Sequence, residues 1–512
     1  MSVRLFSASI NGIDAQLIEV EVDSAPGLHA FNIVGLPDKA VQESKERIAS
    51  AIRTNKLVPP SAKHKKIIIN LAPADIRKEG PAYDLPIAVG YLLETGQVKF
   101  DTEKKMFLGE LSLNGGIKPV NGILSASILA KKLGFKEVFV PIANAGEASI
   151  IDGLNVFGAG SITELVNHLS GTKPIKPIKY KALEAIPSGN DGEAFRFIKG
   201  QETAKHALAV AAAGGHNILM SGPPGSGKTL LAKALVDLMP TLSFPEAIEV
   251  TRIYSSVGLN YGSSLMADRP FRSPHHTTSA PAMVGGGANP KPGEISLSHR
   301  GILFLDELPE FPRHVLESLR EPLEEGVITV SRVAGSIRLP AKFTLVGAMN
   351  PCPCGNYGEP RANCICSPLN VINYRKKISG PLLDRIDIQI NVPRETITTD
   401  QEPMPVNKFN EIREKIAKAR AVQLARFENS KIFTNAEISY RNIDKWCQLD
   451  LEAEKLLQIA ITSKSLSFRA YHKIKKLSRT IADLESSALI KSSHIAEAIS
   501  LKINEKLIGE GN

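Results

Sequence analysis

Long apolar runs are missing from this 512-residue chain: nowhere do about 18 apolar residues follow one another, roughly the least that a bilayer-crossing helix needs. The opening stretch MSVRLFSASINGIDAQ also lacks the apolar segment of a secretory signal. Membrane-spanning and secreted proteins are therefore disfavoured, and the chain is expected in the cytoplasm with no membrane partner. Cysteine is scarce too. There are five, four of them crowded into CPCGNYGEPRANCIC at 352 to 366, which does not resemble the spread framework of a disulfide-stapled domain. Sustained internal repeats and low-complexity tracts are absent as well.

What remains is an ordinary globular composition. With 43% hydrophobic residues the chain can bury sizeable cores, and its length suggests two to four domains of about 150 residues. Basic residues outnumber acidic ones 62 to 53, a surplus of nine that permits attraction to polyanions without demanding it. These charges are scattered, as on any solvated surface.

KPIKPIKYKALEAIPSGN, at 173 to 190, has no apolar period and reads as a linker. A second break falls near PRETITTDQEPMPVN, beyond which glycine nearly vanishes and helical periodicity takes over. The expected organisation is an α/β domain over 1–172, a parallel-sheet core over 191–395 and a helical domain over 396–512. Within the last, Ile474, Leu477 and Ile481 recur at helical spacing and should pack inward, while Lys473 and Lys476 could face solvent or DNA.

The chemistry begins at ILMSGPPGSGKTLLAKAL. An apolar strand leads into Gly222, Pro223, Pro224, Gly225, Ser226, Gly227, Lys228 and Thr229, the GxxxxGK[ST] pattern, and then into a helix. Backbone N–H groups of such a loop cradle phosphate oxygens, Lys228 neutralises their charge, and Thr229 offers a hydroxyl to Mg²⁺. Downstream, GILFLDEL reads as a buried strand ending in Asp306, a magnesium ligand, and Glu307, which orients or deprotonates the attacking water. The strand in KFTLVGAMNP ends at Asn350, where a γ-phosphate could be sensed. Arg385 in SGPLLDRIDIQINVP could reach a neighbour's phosphates, or equally form a local pair with Asp387.

Four thiolates spaced Cys-x-Cys, nine residues, Cys-x-Cys can hold Zn²⁺ tetrahedrally and so substitute for a core that this segment is too short to build. Cys352, Cys354, Cys364 and Cys366 are the expected structural zinc ligands, with unliganded thiols and disulfides as the alternatives. Tyr357 and Arg361 between the pairs could contact DNA. Cys447 reads as a packed thiol.

GHNILMSGPPGSGKT, RPFRSPHHTTSAPAMVGGGANPKPGEISLSHRGILFLDELPEF, NPCPCG and ISGPLLDRIDI together resemble the magnesium-chelatase-like AAA+ ATPases of the YifB/ComM group. The resemblance implies ATP and Mg²⁺ as cofactors and a homo-hexameric ring. It also implies a DNA branch-migration motor that promotes integration of DNA in natural transformation or homologous recombination. Single-stranded or branched DNA would be the substrate, and recombination proteins would be among the partners. By the same resemblance Asn350 is sensor 1, Arg385 the arginine finger, and Arg469, in SLSFRAYHKIKKLSRTIADLE, sensor 2. Two inserts, around PAMVGGGANPKPGEISLS and around a hairpin turning at Ala334-Gly335, would enter the pore. Lys291, Arg332 and Arg338 are then candidates for the phosphate backbone, with rim solvation equally compatible.

The first domain resembles the Lon-protease fold, built on a ribosomal-S5-like α/β frame. Ala82 stands where that family has its catalytic serine and Leu124 where it has its lysine, so no nucleophile is expected. A scaffolding role in the ring or a DNA contact through Lys63, Lys65 and Lys66 is the remaining expectation. The competing readings are a chelatase motor and an ATPase that remodels a protein partner without moving on DNA.

Overall fold

The computed structural model describes residues 2–28, 30–62, 65–178, 191–260, 265–287, 290–332, 335–360, 362–395, 402–428, 430, 432–464 and 467–502. Lys63, Ala334, Arg361 and most of the expected linker lie outside them, as does the side chain of Arg332. No helix among the described residues is long and apolar enough to cross a membrane.

The chain forms two units. The first comprises Met1–Ile186 together with Ser243–Ala267 and Gly287–Pro292. Its mixed sheet runs Ala30–Val34, Lys65–Ala72, Asp14–Pro26, Val3–Asn11, Lys105–Phe107, Glu137–Pro141, Asn155–Ala159. Alternation explains the long strands: Ile67, Ile69 and Leu71 of KKIIINLA point into the core while their neighbours are more exposed. Gly12, at φ 64, supplies the positive-φ turn of the first hairpin, where Asn11 pairs with Asp14. Ala82 packs against the apolar cluster that contains fully buried Leu124. The two positions that would carry a protease dyad are therefore an Ala and a Leu, with neither a hydroxyl nor an amine to share a proton. The helix Phe244–Ser256 also belongs to this unit, where Arg252 pairs with Asp14 at 2.6 Å. The stretch expected to be one parallel-sheet core is thus interrupted by segments that pack with the N-terminal residues.

The second unit holds the expected parallel-sheet core: Phe271–Arg272, Ile302–Leu305, Thr344–Met349, Ile218–Ser221, Ile388–Asn391 in spatial order, every pair parallel. Strands buried on both faces need continuous apolar runs, which ILFL and ILM supply. From Val406 onward the unit is helical, also as expected. These helices share the sheet's core, since Ile474, Leu477 and Ile481 join Ile218, Ile302, Val346 and Ile388 in one apolar cluster.

A buried charge fastens the helix Phe468–Leu484 to the sheet. Asp387, 3% exposed, accepts a hydrogen bond from Asn217 N–H at 2.9 Å and pairs with Lys473 Nζ. Burial opposes the ionised Asp387 carboxyl, but Lys473 and the neighbouring His216 outweigh it and hold the group well below the usual carboxylate range. Lys476 turns inward as well, donating to Ala436 O at 3.0 Å, and burial lowers its amine to about 8. Neither lysine faces solvent or DNA in the way the helical pattern left open. Replacing Asp387 with Ala strands Lys473 beside the core and should cost about 3–5 kcal/mol of stability in a denaturant titration.

Candidate nucleotide and metal sites

The sheet's polarity assembles one cluster. All its strands deliver their carboxyl ends to the same edge, the position where open α/β sheets bind ligands. The GPPGSGKT loop leaves Ile218–Ser221 there. Gly222 is obligatory, because a Cβ on it would lie 2.1 Å from Val392 O. Gly225 and Gly227 adopt φ 76 and 89, conformations that side chains resist. The helix Lys228–Leu238 follows directly.

Lys228 Nζ donates to Gly222 O at 2.7 Å and Pro223 O at 2.9 Å, and lies 3.4 Å from Asn350 Oδ1. Burial lowers its amine against the pull of the Asp306 and Glu307 carboxylates. Thr229 Oγ1 donates to Asp306 Oδ2 at 3.2 Å. The Ser226 hydroxyl is buried without a hydrogen-bond partner among the described residues, a donor left over inside the loop. Cation, two hydroxyls, carboxylate and glycine-rich turn match what a magnesium-bound polyphosphate requires.

Glu307 sits beside this cluster at φ 50, its N–H donating to Asp306 Oδ1 at 2.9 Å. Its carboxylate lies 3.3 Å from His276 Nδ1. His276 had not been singled out in the sequence; the signal was the His-His pair soon after the edge strand Phe271–Arg272.

Arg385 and Arg469 are elsewhere. Ile388 pairs with Ile218 and Asn391 with Ser221, so Arg385 precedes the amino edge of the sheet while the loop follows the carboxyl edge. Four strand residues, about 13 Å, separate the two edges. Arg385 is 6% exposed, donating to Pro381 O at 2.7 Å and pairing with Glu324 Oε1 at 2.6 Å. Arg469 lies 3.3 Å from that same oxygen. The local Arg385–Asp387 pair does not form, because Lys473 and His216 occupy Asp387.

Among the candidate DNA contacts, Arg338 is exposed on the hairpin Val327–Arg332 and Gly335–Pro340, 4.0 Å from Glu325. Arg332 pairs with Gly335 next to the turn, and Lys291 is exposed in the first unit. Lys66 is exposed, whereas Lys65 is half-buried near Ser24.

The four cysteines of the excursion converge. Cys352 Sγ lies 3.4 Å from Cys354 Sγ and 3.7 Å from Cys364 Sγ, with 3.6 Å between Cys354 and Cys364. All four sulfurs fall within 4.8 Å of one another. These separations are too long for a disulfide at about 2.05 Å. They match the edge of a tetrahedron whose centre is about 2.3 Å from each sulfur, roughly 3.8 Å. The group could therefore hold a metal ion. Backbone N–H groups of Asn356 and Ile365 lower the Cys354 thiol to about 6, favouring the thiolate that a metal needs. Tyr357, half exposed, lies under the Arg375 guanidinium at 5.1 Å.

Parallel sheet, phosphate-type loop and acidic strand end define a nucleotide-binding protein of the magnesium-chelatase type, and family models agree. Magnesium chelatase, subunit ChlI, matches residues 194–400; a further model of subunit ChlI matches 20–144, and one of its C-terminal region 407–502. Over 508 residues, 98% of both chains, the sequence is 40% identical to competence protein ComM of Haemophilus influenzae. It is 38% identical to YifB of Escherichia coli, covering 97% of this chain and 96% of that one. With magnesium-chelatase subunit ChlI of Pyropia yezoensis it shares 24% identity over 61% of this chain and 88% of that one. The chain belongs to the ComM/YifB family of magnesium-chelatase-like proteins, a family that carries an ATPase.

Cys447 is 1% exposed and burial pushes its thiol up to about 11. In native, chelator-treated protein a thiol reagent should therefore titrate the partly exposed Cys354, Cys364 and Cys366 quickly and Cys447 only after denaturation; a Cys447 thiol that reacts as fast as these would contradict its packing.

Proposed function

We propose that this chain is an ATP-hydrolysing DNA motor of the cytoplasm. It works as a homo-hexameric ring that drives branch migration and so promotes integration of DNA in natural transformation or homologous recombination. The observation that carries the reading is the division of the site residues between the two edges of one parallel sheet. Lys228 and the loop backbone bind the phosphates, and Asn350 holds Lys228 and senses the terminal phosphate. Glu307, released from His276, orients the attacking water. Thr229 and Asp306 would hold Mg²⁺, which when bound neutralises charge on the phosphates. Arg385 and Arg469 lie too far from their own loop to serve it, so they act on the nucleotide of the adjacent subunit.

Cys352, Cys354, Cys364 and Cys366 would hold a structural Zn²⁺, since four thiolates leave no open position for water. Lys291, Arg332 and Arg338 would grip the phosphate backbone without reading sequence. Kinship with ComM supports the DNA substrate, and Ala82 and Leu124 at the two positions of a protease dyad weigh against peptide cleavage.

Purified protein should hydrolyse ATP faster with single-stranded or branched DNA, and Glu307→Gln should lower that rate by about 10³-fold while leaving ATP binding intact. Hydrolysis indifferent to every DNA would sink the motor reading in favour of a protein-remodelling ATPase. Arg338→Ala should weaken DNA binding uniformly across sequences and reduce the salt slope by about one; an unchanged slope would remove it from the interface. Elemental analysis should find about one zinc per chain, lost on Cys352→Ser.

A further inference from the structure

The cysteine excursion leans on the nucleotide loop. It leaves the sheet at Asn350, itself 3.4 Å from Lys228, and two residues later reaches fully buried Cys352. Gly355, next to Cys354, donates its N–H to Cys352 O at 3.0 Å and adopts φ 83. A Cβ on Gly355 would lie 2.5 Å from Pro224 Cδ and 2.8 Å from Pro224 Cγ. The backbone of the cysteine loop thus rests against the middle of GPPGSGKT. Arg394 also donates to Pro224 O at 2.9 Å. Proline has no N–H to offer a phosphate, so at this position it serves shape alone, and that shape is set between Gly355 and Arg394.

A phosphate loop binds well only if its N–H groups already point inward, because ordering them on binding lowers the affinity. Among the described residues from Cys352 to Cys366, only Cys352 joins the buried hydrophobic residues, so the segment holds its form through whatever joins its sulfurs. We infer that the four-cysteine site is a positioning device for the nucleotide: with a metal bound, Gly355 buttresses Pro224 and keeps the phosphate loop in its binding shape, and loss of the metal slackens both. Gly355 and Pro224 are positioning residues, since neither supplies a ligand to metal or phosphate. This rests on the reading above that the cysteines take Zn²⁺ and the Lys228 loop takes ATP. It adds that the first controls the second, so that oxidation or chelation of the thiols would silence the ATPase from outside its active site.

Two glycines of the excursion separate contact from strain. Gly355 and Gly358 have φ of 83 and 78, but nothing lies within 4 Å of a Cβ on Gly358. Gly355→Ala and Gly358→Ala therefore bear the same backbone cost, and only the first meets Pro224. The measurement pairs zinc content by elemental analysis with the Kd of a fluorescent ATP analogue, for the parent, both variants and parent stripped by a chelator and then refilled with Zn²⁺. Gly358→Ala should match the parent in both readouts. Gly355→Ala should keep its zinc yet bind nucleotide about tenfold more weakly. Stripped parent should lose affinity comparably and regain it with Zn²⁺. Equal nucleotide affinity in the two variants, or an affinity unmoved by metal removal, would overturn the coupling. If Gly355→Ala loses zinc, the stripped and refilled parent decides. A parent that binds neither nucleotide nor zinc would overturn the preceding functional reading as well, which sets that failure apart.

Discussion

One constraint governs the second unit: its sheet is parallel throughout, so a single chain presents a phosphate-binding edge and, about four residues' length away, an arginine-bearing edge. Everything catalytic follows from that polarity. Lys228, Thr229, Asp306 and Asn350 come together because three parallel strands end on the same side. Arg385 and Arg469 come together on the other side because Glu324 offers both of them one oxygen. Neither half can complete the other within one protomer. In the ring proposed above, opposite edges of neighbouring chains would face one another, and hydrolysis would be conditional on assembly.

The arginine edge is held more firmly than a surface charge would be. Asp387 fixes Lys473 and the Asn217 backbone just beside it, so the helix that carries Arg469 is pinned to the strand next to Arg385. The two cations are therefore presented side by side on one carboxylate oxygen. At the opposite edge the cysteine excursion plays the corresponding part, bracing the phosphate loop through Gly355.

Features written in contiguous residues were legible in the sequence. The phosphate loop, the acidic strand end and the cysteine pairs each declare themselves within a short window, because their chemistry demands particular residues at fixed spacing. Features that depend on distant partners were not. Glu324 looks like an ordinary surface charge until the fold brings it to Arg385, and His276 is one of two adjacent histidines until it meets Glu307. Helical spacing assigned Lys473 to a polar face. Its partner Asp387 is 86 residues away, and a buried carboxylate recruits the nearest amine whatever the pattern suggests. The helix Phe244–Ser256 groups with the N-terminal residues, a long-range preference that its own sequence does not announce.

The division of the active site between protomers is the central claim, and subunit mixing tests it most directly. Lys228→Ala spoils the phosphate edge and leaves the arginines; Arg385→Ala does the reverse. Each variant alone should be inactive, and an equimolar mixture, shown by native mass spectrometry to co-assemble, should recover a measurable fraction of the parental ATPase rate, since some interfaces then pair an intact loop with an intact arginine. Co-assembled mixtures that stay as inactive as their components, or an Arg385→Ala protein that hydrolyses ATP at the parental rate by itself, would contradict it.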